Sequence, residues 1–148
     1  MEPANKDARW KQRFQNYGRA FNLLRTALEG KDISDFSQLE QEGLIQRFEY
    51  TFELGWKTLK DYLEFSGIKL TEATPRKVIK ECAASNIFSE AGIDPETYME
   101  MMLTRNALSH TYDSGHFQQA VIKIKKRYLD ELEKEYTFFM NMDTGKDA

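Results

Sequence analysis

Arg105, Asn106, His110 and Tyr112 stand within eight residues of one another in the stretch RNALSHTYD, residues 105–113. A guanidinium, an amide, an imidazole and a phenol so close together suit phosphodiester chemistry. The imidazole can move a proton while the arginine holds the negatively charged phosphorane. Each residue also has a structural use. Arg105 follows Tyr98 by seven positions, Met101 by four and Met102 by three, and precedes Leu108 by three, so it lies on the apolar stripe of a helix. A charge there needs a partner. It finds one either in a phosphate or carboxylate held in a cleft or subunit interface, or in a structural ion pair with Glu49 or Glu53 of the second helix.

His110 follows Arg105 by five positions, which on an ideal helix sets the two side chains about 140° apart. They converge only where the helix ends or distorts between them. Thr111, Asp113, Ser114 and Gly115 follow, so an ending near Ser109 or His110 is expected, and a histidine there can also cap free carbonyls. A second basic group is the run Lys123-Ile124-Lys125-Lys126-Arg127, in which Lys123, Lys126 and Arg127 are candidates for an RNA backbone or a nucleotide. The competing reading is a solvated helix face balanced by Glu131, Glu133 and Glu135.

Other chemistries lack their residues. His110 and His116 are the only histidines and neither belongs to a ligand pattern, so no metal is expected. No phosphate-cradling glycine loop, G-x-S-x-G elbow or Cys-His pair at suggestive spacing is present, and no cofactor is expected. Cys82 is the single cysteine, which excludes an internal disulfide and fits a reducing compartment.

The elements that must hold these residues are helices. With three prolines and eight glycines the chain offers few breaks, and the segments between them have helical period. A first helix is expected from about Asp7 to Glu29, with Trp10, Phe14, Tyr17, Phe21, Leu24 and Leu28 on one face and Gly30 as its stop. A second, from about Phe36 to Phe65, carries Leu44, Ile45, Phe48, Thr51, Phe52, Trp56, Leu59, Tyr62 and Leu63, an arc wide enough for more than one neighbour, and ends at Gly67. A third opens at Thr74-Pro75 and buries Val78, Ile79, Cys82 and Ala83. A fourth opens at Asp94-Pro95 with Tyr98, Met101, Met102 and Leu108 inward, and a fifth runs from about Gly115 to Met140 with Phe117, Val121, Ile124, Tyr128, Leu132, Tyr136 and Phe139 inward. The polar segment from Ser85 to Asp94 reads as a loop, and the residues from about 141 as a frayed tail. The pattern predicts an all-α protein, an antiparallel helical bundle of about five helices in a single domain over residues 1–148.

Composition sets the outer limits. The chain has 21 basic and 24 acidic residues, a net charge of -3, so a broad duplex-binding surface is excluded and any nucleic-acid contact must be local. The N-terminus has no apolar run of the signal type and no stretch is long enough to span a bilayer, so no membrane is expected and a cytoplasmic location is.

Arg105, four residues, His110, one residue and Tyr112 reproduce the R-x4-H-x-Y signature of HEPN proteins (higher eukaryotes and prokaryotes nucleotide-binding). With RFEYTFELGWKTLKDYLE over residues 47–64 and TPRKVIKECA over 74–83, the chain resembles the nucleotidyltransferase substrate-binding branch of that superfamily along nearly its whole length. The resemblance implies a bundle that forms a homodimer with two motifs facing across a cleft, beside a separate small nucleotidyltransferase as partner. In one version the bundle is a substrate- or nucleotide-binding subunit, the HEPN component of a toxin-antitoxin pair. In the other it is a metal-independent endoribonuclease toxin in which Arg105 and His110 are catalytic, Asn106 supports them, and transfer of AMP to Tyr112 silences cleavage.

Overall fold

A computed structural model describes residues 2–110 and 114–143, and the apolar stripes fall where their spacing places them. Helix α1 (Glu2–Leu28) buries Trp10, Phe14, Tyr17, Phe21, Leu24 and Leu28. It stops at Gly30, whose φ of 71° is the left-handed conformation glycine adopts without steric cost. A 3-10 turn, Ile33–Asp35, leads to α2 (Gln38–Phe65). The start of α2 is fixed by a capping box two residues beyond the expected Phe36. Ser37 Oγ accepts from the Glu40 amide at 3.1 Å, and Glu40 Oε1 accepts from the Ser37 amide at 2.9 Å. Phe36 is buried ahead of that cap.

Helices α3 (Pro75–Ala84) and α5 (Pro95–Leu108) open as their sequences predict. Thr74 Oγ1 accepts from the Lys77 amide at 3.3 Å, and Asp94 Oδ2 accepts from the Thr97 amide at 3.3 Å, each followed by proline at the first helical position. Of the expected face of α3, Val78, Ile79 and Cys82 are buried and Ala83 is exposed. The expected loop from Ser85 to Asp94 contains a one-turn helix, α4 (Ile87–Ala91). Ile87, Phe88 and Ile93 are buried there, so this segment is part of the core.

The last helix, α6, consists of two α-helical stretches, Ser114–Lys123 and Leu129–Asp143, joined by a π turn at Ile124–Tyr128. The expected tail is helical as far as Asp143, and residues 144–148 lie outside the described residues. α1 and α2 form an antiparallel pair, α6 packs against both, and α3, α4 and α5 close the remaining side. The all-α bundle is thus the fold; five helices are long, and no strand occurs among the described residues.

The buried residues form one cluster, rich in aromatic rings. Phe14 lies 5.6 Å from Tyr136 and 5.8 Å from Phe139, and Phe52 and Phe88 flank Tyr98 at 5.7 and 5.2 Å. Each ring of this size removed from water stabilises the fold by about 2 to 3 kcal/mol. Two carboxylates expected on a solvated face are inside: Glu131 is buried, and Glu135 is 0 % exposed. They lie on the inward stripe of α6, Glu135 three residues after Leu132 and four before Phe139.

Candidate functional site

Arg105 reaches its position because α5 buries Tyr98, Met101, Met102 and Leu108, which turns the intervening edge of the helix towards α2. There the Arg105 guanidinium donates through Nη2 to Glu53 Oε1 and lies 5.8 Å from the centre of the Phe52 ring. Lys57 Nζ approaches Glu53 Oε2 at 3.0 Å on the other side. Burial pushes the Glu53 carboxyl up, but the Lys57 hydrogen bond and the two neighbouring cations outweigh it and hold Glu53 below the usual carboxylate range. Glu49, one turn earlier on α2, is raised by burial, and the Arg105 charge opposes that rise only in part. Of the two arrangements open to Arg105, the structure contains the ion pair, with Glu53. Its side chain keeps 25 % of its surface exposed, so an incoming anion meets a guanidinium that already has a carboxylate partner.

Asn106 and His110 sit elsewhere. α5 ends at Leu108, and the turn after it is closed by the Ser109 amide donating to Arg105 O at 3.3 Å and the His110 amide to Ala107 O at 3.1 Å. The expected helix ending is therefore present. Asn106, Ala107 and His110 are exposed on the outer side of α5 together with Leu103, while Arg105 faces α2. No hydrogen bond joins Arg105 to His110 among the described residues, and Tyr112 lies outside them.

The basic run straddles the π turn, and its counter-charge is not the one expected from sequence. Arg127 makes a two-pronged bond to Glu100 of α5, at 2.8 and 2.7 Å, and Lys123 Nζ lies 3.9 Å from the same carboxylate. Tyr128 Oη is 2.9 Å from Glu100 Oε2 and 2.8 Å from Thr104 Oγ1. The hydrogen bond from Arg127 outweighs the small effect of desolvation and holds Glu100 below its ordinary range. Lys125 donates to Leu28 O at 3.2 Å, capping the end of α1, and Lys126 is exposed. Of the three nucleotide-binding candidates, Arg127 is thus committed to Glu100, Lys123 is near it, and Lys126 faces solvent. Glu131 and Glu135 are turned inward and take no part.

Sequence reasoning missed the polar centre of the core. Tyr98 Oη donates to Glu135 Oε1 at 2.7 Å, and Glu135 Oε2 is buried with no hydrogen-bond partner among the described residues. Burial pushes the Glu135 carboxyl up to about 8, opposed by the Tyr98 hydrogen bond, so at neutral pH it is mostly protonated. Gly55 of α2 makes the space: a Cβ there would lie 3.1 Å from Glu135 Oε1, 3.1 Å from Tyr98 Oη and 3.0 Å from Tyr17 Cε1. Glu131 accepts from the Asp94 amide at 2.9 Å, tying α6 to the start of α5. Among the described residues no three His, Cys, Asp or Glu side chains converge as a metal site.

Residues 12–141 match the sequence model of a family described as nucleotidyltransferase substrate binding protein like. The match begins about three turns into α1, ends two residues before the end of α6, and includes Arg105, Asn106, His110 and Tyr112. No curated protein matches the chain. Among the described residues no helix is long and apolar enough to cross a membrane.

Proposed function

The chain belongs to the nucleotidyltransferase substrate binding protein-like family, and from that premise we propose that it is a substrate- or nucleotide-binding subunit that partners a separate small nucleotidyltransferase, as the HEPN component of a toxin-antitoxin pair. Residues 1–148 act as one domain, and two copies associate so that their R-x4-H strings share a cleft. The observation that carries this reading is Arg105, a half-buried guanidinium at the rim of α2 and α5, on the same helix whose outer side exposes Asn106 and, just past its end, His110. A phosphate entering there exchanges with Glu53 for the guanidinium fork, which makes binding selective for an anion able to offer two oxygens. Lys126, and Lys123 and Arg127 once released from Glu100, add local positive charge in a chain that is otherwise acidic.

Co-expression with a small nucleotidyltransferase encoded beside it tests the partnership: a complex that co-purifies is expected, and two proteins that separate on gel filtration overturn it. Arg105→Ala should abolish nucleotide binding measured by calorimetry while leaving the melting temperature nearly unchanged, because a partly exposed ion pair contributes only about 1 kcal/mol or less.

The exposure of His110 favours a second reading, a metal-independent endoribonuclease. His110 moves the proton, Arg105 holds the phosphorane, and Asn106 orients the pair. The Tyr112 hydroxyl is then the acceptor of AMP from the partner. It attacks the α-phosphorus of ATP, pyrophosphate leaves, and the phenolic proton is lost. RNA incubated in EDTA with wild type and with His110→Ala decides between the readings. Cleavage by wild type alone supports the ribonuclease; no cleavage, or equal cleavage by both, removes it. A mass increase of one AMP after co-expression, lost in Tyr112→Phe, identifies the acceptor.

A further inference from the structure

The longest helix face without carboxylates is on α1. Between Ala8 and Leu28 the charged residues are Arg9, Lys11, Arg13, Arg19 and Arg25, all basic, in a chain whose net charge is -3. Seven of the chain's eight arginines divide into two sets, and the eighth, Arg76, donates to Met99 Sδ at 3.9 Å. Arg9, Arg13, Arg105 and Arg127 pair with Glu64, Asp61, Glu53 and Glu100. Arg19, Arg25 and Arg47 meet no carboxylate among the described residues. Arg19 donates to Asn16 Oδ1 at 2.6 Å, Arg25 to Asn22 Oδ1 at 2.8 Å, and Arg47 to Leu23 O at 3.1 Å. Arg19 and Arg47 border one depression between α1 and α2, and Arg25 lies farther along α1, 5.8 Å from the centre of the Phe21 ring.

Two apolar depressions open along α1 beside Arg19. One, of about 600 Å³, runs between α1 and α6 over Phe14, Gly18, Tyr136 and Met140. It exists because residue 18 has no side chain: a Cβ there would sit 3.1 Å from the Tyr136 ring. The other, of about 270 Å³, lies between α1 and α2 beside Ala20 and Tyr50. Arg19 and Leu23 border both, so the two form a single furrow with Leu23 standing in it. Leu23 is 56 % exposed and Tyr50 62 % exposed, a pair of large apolar side chains left largely open among the described residues.

We propose that the outer face of α1, between α2 and α6, is the docking surface for an acidic amphipathic helix of a partner protein. The apolar side of such a helix fills the furrow with residues at i, i+3, i+4 and i+7, and its acidic flank meets Arg19, Arg25 and Arg47. The single acid bordering the furrow, Asp143, lies at the far end of α6 and leaves that complementarity intact. Single-stranded RNA fits less well. Of the rings that line the furrow, Phe14 is buried and Tyr136 is packed on Phe14 and Phe21, so Tyr50 is the one ring displayed widely enough for a base to stack on, where a bound strand needs a succession of such platforms. The surface shares no residue with the R-x4-H string, so its success or failure is separate from the reading of Arg105.

A displayed library of helical peptides with randomised charge and apolar spacing, selected against the full chain, tests the proposal. The expected winners are acidic with one apolar stripe. They should lose about tenfold or more in affinity to Leu23→Ser or to the pair Arg19→Glu and Arg47→Glu, and weaken as salt rises. Arg105→Ala should leave their binding unchanged. Arg19, Leu23 and Arg47 are exposed, and circular dichroism melts verify that the variants keep the fold. No enrichment, winners that are neutral or basic, or winners retained by the variants overturn the proposal. So does tighter, equally Arg19- and Arg47-dependent binding of a single-stranded oligonucleotide, which makes the face a nucleic-acid surface. A wild-type dimer that sediments as a monomer after Leu23→Ser also overturns it, because the occupant is then a second copy.

Discussion

Glu135 and Glu100 are the same residue type on neighbouring helices, α6 and α5, with opposite environments. Glu135 lies under Gly55 with a tyrosine hydroxyl as its one hydrogen-bond donor and no cation beside it. Glu100 lies at the seam between α5 and the π turn, held by the two prongs of Arg127 and by Tyr128. Burial without a cation keeps the first protonated, and a bidentate guanidinium keeps the second ionised. The core therefore contains a polar group that is neutral at pH 7, while the edge near Arg105 is a set of full charges cancelled in pairs. The pH dependences run in opposite directions. Between its ordinary value near 4.5 and about 8, the unfolded chain gives up the Glu135 proton and the folded chain keeps it, so this group makes stability fall as pH rises. Glu100, lowered in the fold, adds stability above its ordinary range, and that contribution is lost as pH falls through its folded value.

The contrast breaks most completely at Gly55. Gly55→Val drives a branched side chain into Tyr17, Tyr98 and Glu135 at once and should cost about 3 kcal/mol or more, read as a fall in the urea midpoint. Tyr98→Phe, which leaves the Glu135 carboxyl with no donor, should cost about 2 kcal/mol in the same measurement. Glu135→Gln sharpens the comparison. Its melting temperature should stay level from about pH 5 to about pH 8 while that of wild type declines, and parallel curves would show that Glu135 is not the titrating group. Glu100→Gln has the smallest effect, about 1 kcal/mol or less at neutral pH, vanishing in acid because the wild-type carboxylate is then protonated as well.

The helices and their buried faces were legible because the stripes of α1, α2 and α5 repeat over three or more turns. Residue-scale departures were not. α4 is a single turn, too short to show a period, and its Ile87 and Phe88 are hidden among Ser85, Asn86, Ser89 and Glu90. Its entry needs Asn86 at φ 72°, a backbone state that composition does not announce. Glu135 could have been found, since it lies on the line from Leu132 to Phe139, but its proximity to Glu131 and Glu133 made it look like part of a solvated run. The π turn has a subtler trace. Ile124, Tyr128 and Leu132 are separated by two successive steps of four, which drift by about 80° around an ideal helix, and the wider turn absorbs the drift. At the candidate site, spacing located the end of α5 and the exceptional placing of Arg105. Which of Glu49 and Glu53 would receive it depended on the rotation of α2 against α5, and that is settled by packing across the interface.

The hydrogen bond from Lys125 to the carbonyl of Leu28 spans 97 positions of chain. The same two helices share the contacts of Trp10 and Phe14 with Phe139 and of Phe21 with Tyr136. During synthesis α1 leaves the ribosome before α2 and α6, and α2 covers part of its apolar face soon afterwards. The rest of that face has no native partner until α6 has emerged, and until then the Leu28 carbonyl has the Lys31 amide, at 3.3 Å, without the Lys125 ammonium. α1 is completed by a helix about a hundred residues later, so a nascent chain arrested before residue 125 leaves parts of Trp10, Phe14 and Phe21 open to whatever holds unfinished proteins apart.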